Sequence, residues 1–220
     1  MSYSPVAIVW PCPFSVDVYV GAGRSVVVPR ALCPSCRVPM GWWSGYRRSV
    51  RVGGRCRRLW LARARCAGCA VTHALVPSFL LVGRLDVVES VGVVLEAVAA
   101  GSCGVRPAAA RLDVPHTTAR DWVRRFAGGA AVLWSGFAAL AIELGGDVDT
   151  AVVVEPVAAV VAVMRCAHRA AVGRHEVLTG SLWGFVSVVT GGVLIRSNTD
   201  PPWRVFGSRR FIPPIPFSGS

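Results

Sequence analysis

Two Cys-x-x-Cys pairs, Cys33-Pro-Ser-Cys36 and Cys66-Ala-Gly-Cys69, stand 29 residues apart, and this constrains the fold more than any other feature of the chain. Each pair can form a tight knuckle whose two sulfurs face one ion. Two knuckles brought together complete a tetrahedral S4 cage, the preference of structural zinc. A redox role would need a thioredoxin-like βαβ context, which the flanking sequence lacks. Cys12, Cys56, Cys103 and Cys166 have no such spacing and read as small apolar residues. Zinc knuckles commonly place Gly just after the second Cys, where φ is positive; Arg37 and Ala70 stand there instead. His73, four residues past Cys69, is an alternative ligand, although four thiolates already fill the shell.

The stretch between the knuckles supports the geometry. Residues 46–52 read as a strand, Gly53-Gly54 as a tight turn and residues 55–65 as the returning strand, which carries Cys66 back toward Cys33. This is the layout of a zinc ribbon. The hairpin also carries Arg47, Arg48, Arg51, Arg55, Arg57, Arg58, Arg63 and Arg65, within 19 residues that contain no acid, with Trp42, Trp43, Tyr46 and Trp60 among or beside them. The formal charge of +12 is concentrated here: residues 1–83 hold 11 Arg against one acid, Asp17, and the rest of the chain is nearly balanced. Self-repulsion of such a tract calls for a polyanionic partner. Nucleic acid is the first expectation, with these eight arginines as phosphate contacts, and an anionic membrane surface is the competitor. All basic residues are Arg and the chain has a single Asn, a composition that a GC-rich genome explains as well as selection does.

Beyond Pro77 the periodicity becomes helical. Over residues 84–100, Val87, Val91, Val94, Leu95 and Val98 share one face, and Gly101 and Gly104 end the run. A short helix at residues 107–112, with Pro at its first position, a turn at residues 113–115 and a second helix at residues 116–126 together have helix-turn-helix spacing. Ala109 is small where the helices must approach, and Leu112, Val114, Ala119, Trp122, Val123 and Phe126 fall on the core side. Asp113 takes the turn position usual for Gly, and Asp tolerates the left-handed region better than most residues. Pro115 replaces the usual Ser or Thr cap. His116, Thr117, Arg120 and Arg124 then line the outward face as base contacts, with Arg120 matched to guanine O6 and N7.

The order Cys33-Pro-x-Cys36, a Trp- and Arg-rich hairpin, Cys66-x-x-Cys69-x-x-Thr72-His73-Ala74-Leu75-x-Pro77-Ser78-Phe79-Leu80-Leu81 and a helix-turn-helix resembles a bacterial domain-of-unknown-function family. Its zinc-ribbon head is similar to those at the front of several insertion-sequence transposases. The run from Thr190 to Trp203 looks like the C-terminal part of the same family, so the resemblance covers roughly residue 31 onward. It implies DNA binding linked to mobile elements and no particular activity. The absent knuckle glycines and Pro115 are this chain's departures.

The remainder reads as helices over residues 130–144, 156–171 and 176–190, then a Pro-rich tail with apolar anchors from residue 200. An RNase H-like transposase needs three carboxylates on a mixed sheet holding two metal ions. The acids after Phe126 (Glu143, Asp147, Asp149, Glu155, Glu176 and Asp200) lie in a helical pattern instead, so no catalytic residues are expected. The uncharged stretch 177–195 has the length of a minimal membrane span but four glycines, and reads as a buried helix. Residues 1–20 have no basic leader and three prolines, which points to a cytoplasmic, nucleoid-associated protein. The expected class is α+β, mainly α: an N-terminal extension (1–30), zinc ribbon (31–83), helix-turn-helix (84–126), helical C-terminal region (127–199) and extended tail (200–220). The expected partners are structural zinc, double-stranded DNA and a second copy through the C-terminal helices, with no membrane and no small-molecule substrate.

Overall fold

The computed structural model describes residues 7–148, 155–174 and 180–195. Among these, the chain is mixed α+β, with a four-stranded sheet and seven α helices. The strands are β1 (Ala7–Trp10), β2 (Met40–Val52), β3 (Arg55–Cys66) and β4 (Thr72–Pro77), in spatial order β1-β4-β3-β2. The hairpin β2–β3 pairs from Met40↔Cys66 to Val52↔Arg55, so the strand predicted at residue 46 begins six residues earlier. At its tip, Gly53 and Gly54 have φ of 50° and 74°, the two positive values that a type I′ turn demands.

Within the expected N-terminal extension, Ala7–Trp10 form a strand of this sheet. β1 runs parallel to β4, from Ala7↔Ala74 to Trp10↔Pro77. A first helix, α1 (Val16–Ala22), is capped by the Ser15 hydroxyl, which accepts from the Val18 amide. α1 inserts Tyr19 into the sheet core, with Leu59, Leu61 and Phe79 in the same cluster. β4 pairs with β3 only over Arg63–Arg65, leaving the rest of that strand edge open. The Tyr19 hydroxyl donates to the Trp60 carbonyl (3.1 Å) on the uncovered part of β3. A parallel partner more than sixty residues away leaves no local mark, which is why periodicity missed it.

The helices are α2 (Val88–Ala99), α3 (Val105–Arg111), α4 (His116–Gly128), α5 (Ala130–Glu143), α6 (Pro156–Arg174) and α7 (Leu182–Val189). α2 begins four residues later than its apolar period predicts because the preceding backbone pairs with the hairpin. The Arg51 amide donates to Leu85 (2.8 Å), and the Val87 amide donates to Arg51 (3.3 Å). α3 begins at Val105, so Pro107 is its third residue rather than its first.

α3 closes in a left-handed turn at Asp113, φ 50°. The Val114 amide donates to Ala109 (3.0 Å) and the Asp113 amide to Ala110 (3.1 Å). This is the Schellman arrangement, with buried Val114 as its apolar contact. Pro115 begins α4 without a side-chain cap, as its missing hydroxyl requires. Ala109, Val114, Ala119, Trp122 and Phe126 are buried as the pattern predicts, and Leu112 and Val123 are half-buried beside them.

One apolar core runs through all six of these helices, from Leu81 to Ile195, so no core boundary falls at residue 127. Gly92 lets α7 approach α2: a Cβ there would collide with the Trp183 indole. That indole donates to Glu96 (3.2 Å). Among the described residues, only α6 is a single helix long and apolar enough to cross a membrane; α4 and α5, bent by 64°, would meet that test only together. α6 packs its Val160, Val161, Met164 and Ala167 face into the helical core and carries Arg165, His168 and Arg169. The uncharged stretch 177–195 contains only the eight-residue α7, stopped by Gly191 and Gly192; residues 177–179 lie outside the described residues, as does the tail.

Candidate metal centre and adjoining arginine surface

Cys33, Cys36, Cys66 and Cys69 converge, with all four Sγ atoms within 4.8 Å of one another. Cys33 and Cys69 sulfurs are 3.5 Å apart, and those of Cys36 and Cys66 are 3.1 Å apart. Zn–S bonds of about 2.3 Å in a tetrahedron put sulfurs about 3.8 Å from each other, so the cage needs only a slight expansion to hold such an ion. The donor set is four soft thiolates, which suits a thiophilic metal and not a hard one.

The two knuckles are built alike. In the first, the Arg37 amide donates to the Cys33 carbonyl (2.9 Å) and the Cys33 amide to the Val38 carbonyl (2.9 Å). In the second, the Ala70 amide donates to Cys66 (3.0 Å) and the Cys66 amide to Val71 (3.0 Å). Arg37 and Ala70 both sit in the left-handed region, φ 60° and 59°, although neither is Gly. Two non-Gly residues in this region carry strain that the surrounding turn must hold. In each knuckle the first cysteine is buried and the second exposed. His73 is buried in β4 opposite Ala64 and is not a member of the sulfur cluster.

Backbone amides are aimed at the sulfurs. Cys66 accepts from the Cys69 and Gly68 amides, and the Cys36 thiol donates to it; the Cys36 contact is the largest influence, and its thiol is brought down to about 6. Cys36 is pushed up to about 12, chiefly because it holds the proton shared with Cys66. Burial opposes ionisation of Cys33, yet donation from the Cys36 and Ser35 amides outweighs it and lowers that thiol too. The chain's own donors thus favour the thiolate at Cys33 and Cys66, the form a metal ligand must take.

The eight hairpin arginines do not form one free set. The Arg48 guanidinium turns inward and donates to the Leu81 (2.7 Å) and Arg84 carbonyls, tying the hairpin to the segment before α2. Arg51 grips Asp86 with two bonds, Nε–Oδ1 at 2.6 Å and Nη2–Oδ2 at 3.0 Å. Arg63 is half-buried, Arg57 lies 3.7 Å from Asp17, and Arg65 stacks over the Trp43 ring at 4.6 Å. Arg47, Arg55, Arg57, Arg58 and Arg65 remain exposed. Arg24, outside the run, stacks over Trp60 at 4.3 Å and joins this surface. Asp86, the first acid after the acid-free tract, signals that one arginine could be paired without saying which, and Arg48, held by carbonyls, leaves no such mark.

His116, Thr117, Arg120 and Arg124 are all exposed along α4. Arg124 is held by Asp121 (2.6 Å), which also takes Arg125 (2.5 Å); these bonds hold the Asp121 carboxyl below its usual range. Arg120 has no ion pair among the described residues. The hairpin tip abuts the α3–α4 turn, since a Cβ on Gly54 would collide with the Asp113 carboxylate. An open groove bordered by Arg51, Arg84, Thr117, Thr118 and Asp121 runs between the segment before α2 and the N-terminal half of α4. Of the acids after Phe126, Glu155 accepts from the Ala158 amide (2.6 Å) at the start of α6, while Asp149, Glu176 and Asp200 lie outside the described residues. Comparison of the chain with protein-family models, curated proteins and solved structures gives no match.

Proposed function

We propose that this protein is a zinc-dependent DNA-binding protein in which a two-knuckle zinc ribbon braces a helix-turn-helix made by α3 and α4. The observation that carries the proposal is the contact between the hairpin tip and the α3–α4 turn, Gly54 against Asp113. Arg55 follows Gly54 directly in the chain, and Arg55, Arg57 and Arg58 are all exposed. Arginines there neutralise phosphates and fix the register, while His116, Thr117, Arg120 and Arg124 face base edges in the major groove. Resemblance of the ribbon segment to transposase heads adds mobile-element DNA as the context, with the protein as a regulator or accessory factor. No catalytic constellation is part of the proposal.

Selection of bound sequences from random duplexes, with metal content measured alongside, tests this directly. One zinc per chain and an enriched motif are expected; stoichiometric metal with no duplex affinity at low salt would sink it. Arg120→Ala should lower discrimination between selected and random duplex more than it lowers overall affinity. Replacing Arg57 and Arg58 together should flatten the salt dependence by roughly 1.8 in log–log slope, the release from two phosphates.

A further inference from the structure

Between Asp17 and Asp86 the chain contains 12 Arg and no acid, and the most exposed aromatics among the described residues lie within that tract. Trp42 is 74% exposed and Trp43 53%, adjacent on the edge strand β2, with Tyr46 at 41% one turn of the pleat further on. A large exposed indole is unusual, and two in succession on a sheet edge more so. The local backbone explains their presentation. The register shifts between Trp42 and Ser44, so Trp43 is the extra residue of a β-bulge, a device that redirects side chains and ends regular pairing. The Arg65 guanidinium lies over the Trp43 ring, and Arg47 is exposed two positions past Gly45.

We infer that this exposed edge of the sheet is a stacking platform for single-stranded nucleic acid, separate from the duplex-reading face of α4. Unpaired bases offer flat π surfaces to exposed indoles, and their phosphates suit the flanking guanidinium groups. A base inside a duplex cannot reach an indole on a sheet edge, so the occupant must be unpaired or splayed out. Charge decides the partner class: the whole tract is cationic, which matches a polyanion that also carries aromatic rings. The inference deepens the DNA-binding reading, but the two fail separately.

The test uses the full-length, metal-loaded chain with labelled oligo-dT, oligo-rU and a mixed-sequence duplex, read by anisotropy and by quenching of tryptophan emission. Replacing Trp42 and Trp43 with Ala should weaken oligo-dT binding about tenfold or more, since each stacked base contributes that order of affinity, and change duplex binding less than about threefold. The Trp42→Phe, Trp43→Phe variant should keep binding and lose most of the quenching, which guards against an Ala variant that loses its metal. Arg120→Ala, at the base-reading face, should leave oligo-dT binding unchanged. Comparable binding of rU and dT supports a platform blind to the sugar, and preference for one assigns the natural strand. Unchanged oligo-dT affinity in the Ala variant overturns the inference, as does displacement of oligo-dT by poly-glutamate as readily as by unlabelled oligonucleotide. Duplex binding without single-strand binding overturns this inference alone; single-strand binding without duplex binding overturns the α4 reading alone.

Discussion

The sheet half and the helical half of this molecule hold themselves together by different means. The helical half buries a continuous apolar core that includes Trp122, Phe126, Phe137, Leu140 and Met164. The sheet half has the smaller core, and two of its buried members, Cys33 and Cys66, are themselves ligands of the candidate metal site. A hairpin this rich in arginine has few side chains to bury, so a cross-link at its base replaces hydrophobic area. The difference teaches where stability and charge can coexist. The surface that bears unbalanced positive charge is the one whose base carries the four-cysteine candidate metal site, while the nearly balanced half rests on apolar contact.

The largest expected effect breaks the comparison at its base. Removing the metal with a chelator, or making Cys66→Ser, should cost the sheet half stabilisation on the order of 10 kcal/mol. Hydrogen exchange should then show β2 and β3 amides losing protection while α5 and α6 stay protected. Equal loss in both halves would mean that they form one cooperative unit. Acidification should act in the same direction, because the ligands must be thiolates: metal affinity falls as pH drops through the thiol range, measurable with a competing chelator.

Next in size is Trp122→Ala, which empties the centre of the helical core and should cost about 3–5 kcal/mol in urea unfolding. Metal stoichiometry should not change, and a drop in it would contradict the independence of the halves. The joint between them is Arg51 with Asp86, whose carboxylate side chain is only 6% exposed. Arg51→Ala strands that charge and should cost about 3 kcal/mol. A single melting transition should then separate into two, and no separation would show that the remaining links, Arg48 on the Leu81 carbonyl, Val188 in the sheet core and Gly54 against Asp113, suffice to couple the halves. The smallest effect concerns Asp121. Its carboxyl titrates low because Arg124 and Arg125 hold it, so its contribution is complete above the ordinary carboxylate range and fades as pH falls through the lowered value. Arg124 is exposed and both pairs lie at the surface, with Asp121 and Arg125 half-buried, so about 0.5 kcal/mol is at stake, read as the difference in acid unfolding between the wild type and Asp121→Asn.

Sequence and fold agree best where the cause is local. The four cysteines, the Gly53-Gly54 reversal and the left-handed residues Arg37, Ala70 and Asp113 were all legible from spacing and from the φ that each turn requires. The buried face of α4 followed from its period. The arginine tract was legible as a charge but not as a division of labour. Nothing in the run distinguishes Arg48 and Arg51, which turn inward, from Arg55 and Arg58, which do not. Their neighbours across the sheet and the segment before α2 made that choice.

By itself, then, the amino-acid order determined the four-cysteine cluster, the hairpin that joins its two halves and the turn before α4. Each depends on bond geometry and side-chain type within a few residues. The tertiary structure alone decided that β1 would run beside β4, that α2 would start at Val88 and that the hairpin tip would rest against Asp113. Those outcomes arise from competition between distant segments for the same hydrogen bonds and the same apolar surface, and no short window of sequence contains both competitors.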